Sequence, residues 1–217
     1  MRRIWTWIKV IAFVLVAALL HYVLPQHDVG RITSTEVIRA DFTGINRIFY
    51  AQADSGAAEL TTRDLRLINT EIRKTWFLGF GRRESSKVMV YRNEDTGWIW
   101  PPYFKFDSSD LQAEAAAAVA PNKDQWVVIT HYGWRNKYLT IFPNAIGIRK
   151  VEGPDVTVIP WFNIFFFVFV LFAFGMIRAM WRQFRERSID PALEDMSDSV
   201  SEQRGRLTRW LDTWRRK

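Results

Sequence analysis

The sequence predicts an α+β protein in which two transmembrane helices flank a β-rich periplasmic domain containing one helix. Three observations predict it. Two apolar runs are long enough to cross a bilayer, basic residues concentrate beside them, and β-forming segments fill the interval between. The 217 residues carry 30 Lys and Arg against 23 Asp and Glu, for a net charge of +7. Apolar residues make up 48% of the chain and aromatics 15%, which excludes a disordered or low-complexity protein. The absence of cysteine excludes disulfides, thiolate metal sites and cysteine nucleophiles.

A charge of +7 alone would suggest a nucleic-acid partner. Its distribution argues otherwise. Residues 1–25, 26–157 and 178–217 carry +3, +1 and +3, so the excess lies beside the apolar runs and the middle is nearly neutral. The expected partners are a lipid bilayer and a membrane or periplasmic protein, with no nucleic acid.

The first run, Ile4–Leu24, would span roughly 31 Å as a helix, enough for a hydrocarbon core. Lys9 lies near its amino-terminal end and can snorkel, and Trp5 and Trp7 suit an interface. A cleaved signal peptide is the rival reading, but no small–x–small cleavage site follows the run. The second run, Val156–Ile177, contains seven Phe and no charge. Arg178, Arg182, Arg185 and Arg187 follow it. With Arg2 and Arg3 they place both termini in the cytoplasm and the central domain in the periplasm of an inner-membrane protein. Neither run carries paired ionisable groups, so a transporter acting alone is not expected.

The expected domains are a span and its flank (1–25), a periplasmic α+β domain (26–155), a second span (156–177) and a basic tail (178–217). Within the central domain, Ile32–Phe42, Arg63–Ile72 and Lys87–Arg92 read as strands. Asn93–Gly97 reads as a turn, and Trp98–Phe106 as an extended segment broken by Pro101 and Pro102. Ser109 and Gln112 form a capping-box pattern before Ala113–Ala118, a helix ended by Pro121. Trp126–Tyr132 and Ala145–Val151 follow as strands. Three strands, a helix and two strands suit a small, partly open barrel of the oligonucleotide/oligosaccharide-binding type, and suit a plain α+β sheet as well. Gly44–Glu59 and Phe77–Arg83 read as loops.

Two blocks carry a resemblance. Tyr91–Ala115 (YRNEDTGWIWPPYFKFDSSDLQAEA), with Tyr132–Arg135 (YGWR) and Phe142–Ala145 (FPNA), resembles an uncharacterised family of alphaproteobacterial two-span membrane proteins. The likeness extends over most of the chain, and no catalytic or binding residue can be carried over from it.

Candidate surfaces come from the residues themselves. Trp98, Trp100, Tyr103, Phe104 and Phe106 alternate around two prolines, either as core material or as a stacking platform for a sugar or an extended peptide. Core packing is the preferred reading. Tyr132, Trp134 and Arg135 set aromatic rings beside a guanidinium suited to an anionic headgroup or a partner carboxylate, and a satisfied Trp with a surface Arg explains them almost as well. His131 lacks a neighbouring Cys or spaced His, so no metal is expected. Glu94/Asp95 and Asp107/Asp110 read as turn and capping pairs, and the absence of nucleophile-elbow and glycine-loop motifs leaves no cofactor and no enzyme expected. In the tail, Leu207, Trp210, Leu211 and Trp214 form one helical stripe amid arginines, fit to lie on an anionic leaflet or dock on a protein. Asp190–Glu202 reads as a flexible spacer. The expected role is a non-enzymatic accessory or assembly factor for an envelope complex. A glycan- or lipid-binding module is the alternative, and a hydrolase is the least favoured class.

Overall fold

The computed structural model describes residues 2–41, 50, 62–75, 82–98, 103–119 and 125–215. The chain divides into two units, Met1–Trp161 and Phe162–Lys217. Trp100, Pro101, Pro102, Pro121 and the two expected loops, apart from Tyr50 and the ends of the second at Arg82 and Arg83, lie outside the described residues.

The first unit begins with helix α1 (Arg2–Val23), long and apolar enough to cross a membrane. Only Leu24 and Pro25 separate it from strand β1 (Gln26–Asp41). Strands β2 (Thr62–Thr75) and β3 (Arg82–Arg92), helix α2 (Ser108–Val119), and strands β4 (Trp126–Tyr132) and β5 (Asn144–Val151) follow. The five strands close into a barrel in the order β1-β2-β3-β5-β4. The barrel is therefore present, and it is closed. β1 begins six residues earlier than its β-propensity suggests and β3 five residues earlier. Polar residues such as Gln26, Asp28 and Ser86 hide both extensions from a search for apolar alternation.

β1 is long because it serves two neighbours. Gln26–Arg31 pairs with β4, and Gly30–Asp41 pairs with β2. The crossover falls at Gly30, where a Cβ would stand 2.6 Å from the Glu71 carbonyl oxygen. Only glycine permits that approach. A bulge between Ile32 and Ser34 then bends the strand around the barrel.

Closure occurs between the parallel strands β3 and β5, which share the single pair Arg92–Asn144. Side chains complete what the ladder lacks. Asn144 Oδ1 accepts from the Glu94 N–H and its Nδ2 donates to the Glu94 carbonyl, each at 3.0 Å. The Arg92 N–H donates to the Pro143 carbonyl at 2.9 Å.

The core lies inside the barrel. Ile32, Ile68, Ile72, Tyr91, Val127, Ile129 and Ala145 meet Leu111, Ala115 and Ala118 of α2. Those three recur at i, i+4 and i+7, the stripe that lets one helical face bury itself. α2 starts a residue earlier than its sequence pattern suggests, and Gln112 does not complete a capping box. Asp95 accepts from the Ser108 N–H and hydroxyl, at 2.8 and 2.7 Å, while Gln112 Oε1 accepts from Asn93 Nδ2. A carboxylate brought from the end of β3 replaces the local cap.

The second unit is helical. α3 (Trp161–Phe184) is long and apolar enough to cross a membrane, with none of its side chains buried. A π-helical turn at Arg185–Ile189 joins it to α4 (Asp190–Arg215). That turn precedes Pro191, whose ring and missing N–H disrupt the α-helical ladder. Asp190–Glu202 is thus helical, where composition suggests a flexible spacer. Ser197, Ser199 and Ser201 bond back to the carbonyls three residues earlier, and Glu202 pairs with Arg206 at 3.0 Å. The back-bonds satisfy the serine hydroxyls within the helix, and the ion pair supports it.

Candidate functional site

The Tyr91–Ala115 block folds into a buried polar framework. Arg92 and Glu94 form an ion pair at 3.1 Å with both side chains at least 95% buried. The Arg92 guanidinium also covers the Tyr50 ring at 4.7 Å. Lys105, buried as well, donates through Nζ to Asn93 Oδ1 and to the Ala145 carbonyl. Burial lowers its pKa to about 8, although Asp107, Asp95 and Glu94 favour the charge. Glu94 and Asp95 therefore act within this framework and at the α2 terminus, where the sequence suggests a simple turn. Among the described residues, only Gly97 and Trp98 occupy a turn there.

The aromatic run divides. Tyr103 stacks on Tyr132, with ring centroids 4.4 Å apart and planes at 11°. Trp98, Phe104 and Phe106 instead lie on the surface, at 79%, 52% and 52% exposure, so core packing does not hold for these three. They touch one another. Trp98 meets Phe104 and Phe106 at centroid distances of 5.4 Å each. Phe104 adopts φ 50, a left-handed conformation costly for an aromatic residue.

Tyr132 and Trp134 join the barrel to α1, and Arg135 braces its own loop. Gly133, at φ +93, donates its N–H to the Tyr22 carbonyl at 2.9 Å. Trp134 Nε1 donates to His21 Nδ1 at 3.0 Å, and the Tyr22 ring meets Tyr132 and Trp134 edge-on. The Arg135 guanidinium donates to the Asn136 and Ile141 carbonyls and covers the Phe142 ring at 4.2 Å. Leu207, Trp210 and Leu211 are exposed on α4, and Trp214 belongs to the same helix.

A second constellation lies where β1 begins and β4 ends. Asp28 Oδ2 accepts from the Tyr91 hydroxyl and lies 3.0 Å from His131 Nε2. Burial opposes the Asp28 charge. Hydrogen bonds and charge from His131, the Tyr91 hydroxyl and Lys87 outweigh it, and the pKa falls below its ordinary value. Tyr91 is pushed well above its ordinary value by burial and by the Asp28 charge, so it stays a donor. Asp28 and His131 border a cleft of about 540 Å³ whose lining includes Ile72, Arg73, Lys87, Met89, Trp134 and Arg135. His131 is legible in the sequence only as a lone histidine, Asp28 and Lys87 carry no motif, and Tyr91 stands only as the first residue of the Tyr91–Ala115 block. The signal lay in strand pairing, because Asp28 and His131 are 103 residues apart. No group of three potential metal ligands occurs among the described residues.

Residues 1–185 match the family model described as a protein of unknown function, DUF1523. An uncharacterized protein of Haemophilus influenzae is 38% identical over 154 residues, covering 71% of this chain and 78% of its own length. No solved structure matches the chain. The matched span takes in α1, the barrel and α3, and the chain belongs to the DUF1523 family.

Proposed function

We propose that the chain is a non-enzymatic interaction module of the bacterial envelope, an accessory or assembly factor anchored in the inner membrane by α1 and α3. Both termini lie in the cytoplasm and the barrel in the periplasm, a topology supported by the basic residues beside each apolar run. The strand order β1-β2-β3-β5-β4, with α2 between β3 and β4, supports reading the barrel as one of the oligonucleotide/oligosaccharide-binding type. That architecture hosts many unrelated binding roles, so the surface must supply the function.

The observation that carries the reading is the exposed cluster of Trp98, Phe104 and Phe106. Mutually packed aromatic rings offer large contact area with little rotamer entropy to lose, and such residues anchor protein interfaces. Holding Phe104 at φ 50 to display its ring costs stability, and a binding role accounts for that cost. The α4 stripe of Leu207, Trp210, Leu211 and Trp214 adds a second contact with the leaflet or the same complex.

Photo-crosslinking in living cells tests the proposal. A crosslinker at Trp98 or Phe106 is expected to give discrete protein adducts that are absent from Val88, an exposed apolar control on β3. Phe104→Asp should abolish those adducts while the protein stays folded. Adducts identical to those at Val88 would defeat the interaction reading. Glycan or lipid adducts without protein would favour a ligand-binding module instead.

A further inference from the structure

The interior of a small barrel is normally filled by apolar side chains, and here the filling stops at one end. Strand parity shows where. Lys87 shares a strand face with Met89 and Tyr91, Asp28 with Gly30 and Ile32, and His131 with Val127 and Ile129. Tyr91, Ile32, Val127 and Ile129 belong to the core, so Lys87, Asp28 and His131 mark the barrel mouth. The cleft of about 540 Å³ opens among them, a volume suited to a small organic ligand rather than a single ion.

The mouth is built rather than incidental. Asp28 is held by Tyr91 and His131, which is 97% buried. An ionised carboxylate only accepts, so the proton between Asp28 and His131 sits on Nε2. The other ring nitrogen, Nδ1, is buried and has no hydrogen-bond partner among the described residues. Nδ1 accepts in the neutral ring and donates in the charged one, and a hydroxyl can meet it in either state. An unmet buried polar atom is destabilising, and a ligand hydroxyl would satisfy it.

The rest of the lining favours an anion. Lys87 is exposed and makes no hydrogen bond or ion pair among the described residues. Arg73 lies on the same lining and pairs with Asp155 at 2.9 Å, an aspartate that is 83% exposed and readily displaced by a stronger anion. Ile72, Met89 and Trp134 supply an apolar wall. His21, from the last turn of α1, completes the rim. A membrane-embedded α1 would therefore set the mouth beside the headgroup layer.

We propose that the barrel mouth binds a phosphate ester with a free hydroxyl, of the glycerophosphate class, with its phosphate on Lys87 and Arg73 and its hydroxyl hydrogen-bonded to His131 Nδ1. This site is separate from the Trp98 cluster and does not depend on a protein partner. The same chemistry can come from a soluble ester or from the headgroup of phosphatidylglycerol, and the test must separate them.

The full chain in mild detergent is titrated with glycerol 3-phosphate, glycerol and inorganic phosphate by calorimetry. A parallel arm places it in nanodiscs of phosphatidylglycerol or phosphatidylcholine and measures retained lipid by native mass spectrometry. Glycerol 3-phosphate should bind at least tenfold more tightly than inorganic phosphate, and glycerol alone should not bind. Lys87→Gln should lower affinity for both phosphates about tenfold or more, with unchanged melting. His131→Gln should erase the preference for glycerol 3-phosphate over phosphate. Preferential retention of phosphatidylglycerol without soluble-ester binding assigns the site to the lipid, and the reverse assigns it to the ester. No binding in either arm, or binding indifferent to Lys87→Gln, overturns the proposal. Neither result alters the crosslinking pattern expected at Trp98.

Discussion

Asn144 bonds the backbone of Glu94 in both directions, accepting its N–H and donating to its carbonyl at 3.0 Å each. One side chain thus supplies two bonds beside the lone β3–β5 pair, and it also donates to the Tyr132 hydroxyl. Asn144→Ala strands buried backbone groups, at roughly 1–3 kcal/mol for each. Chemical denaturation of the detergent-solubilised protein should show a loss of about 3 kcal/mol. A loss below about 1 kcal/mol would mean that closure rests on other contacts.

The Arg92–Glu94 pair predicts strong non-additivity. Arg92→Met leaves the Glu94 carboxylate buried without that cation, which costs about 3–5 kcal/mol. Combining it with Glu94→Gln removes the stranded charge. A double-mutant cycle should therefore give a loss smaller than the sum of the two single losses.

Lys105 predicts a rise of stability with pH. Its folded pKa is lowered to about 8 by burial, against an ordinary value of 10.5. Between these values the unfolded chain binds the extra proton, so the burial penalty is present below pH 8 and is lost by pH 10.5. The penalty is about 3 kcal/mol. Relative to Lys105→Met, the native protein should gain stability across that window in paired denaturation curves. Parallel curves would overturn the assignment.

Phe104→Gly should move stability and binding in opposite directions. Glycine adopts φ 50 without the steric cost borne by phenylalanine, so stability should rise by about 1 kcal/mol. Loss of the ring should abolish the protein crosslinks expected at Trp98. If both properties fall together, the exposed ring is a packing element.

The architecture was largely legible from patterns local in sequence. Apolar length marked α1 and α3, alternating β-formers marked the strand centres, and the alanine run marked α2. What escaped was set by distant partners. Gly30 is an ordinary strand glycine until β2 is laid beside it and the Glu71 carbonyl fills the space a Cβ needs. The aromatic run had the alternation of a core strand, but the end of β3, Asp95 and the start of α2 turned Trp98, Phe104 and Phe106 outward. Asp28 and His131 became one site only when β1 paired with β4. Asp190–Glu202 escapes for another reason, because its serines and acids suggest a spacer by composition while the helix absorbs their hydroxyls on its own carbonyls.

The junction of α1 with β1 has a mechanical consequence. Two residues separate helix from strand, and Tyr22 and His21 are bonded to the loop that follows β4. Such a tether has no slack. A domain on a flexible leash samples a volume and meets partners by diffusion, whereas this barrel turns with its helix. Any tilt or axial rotation of α1 is delivered undamped to the barrel, and the junction converts the posture of one helix into the aim of every surface the barrel presents.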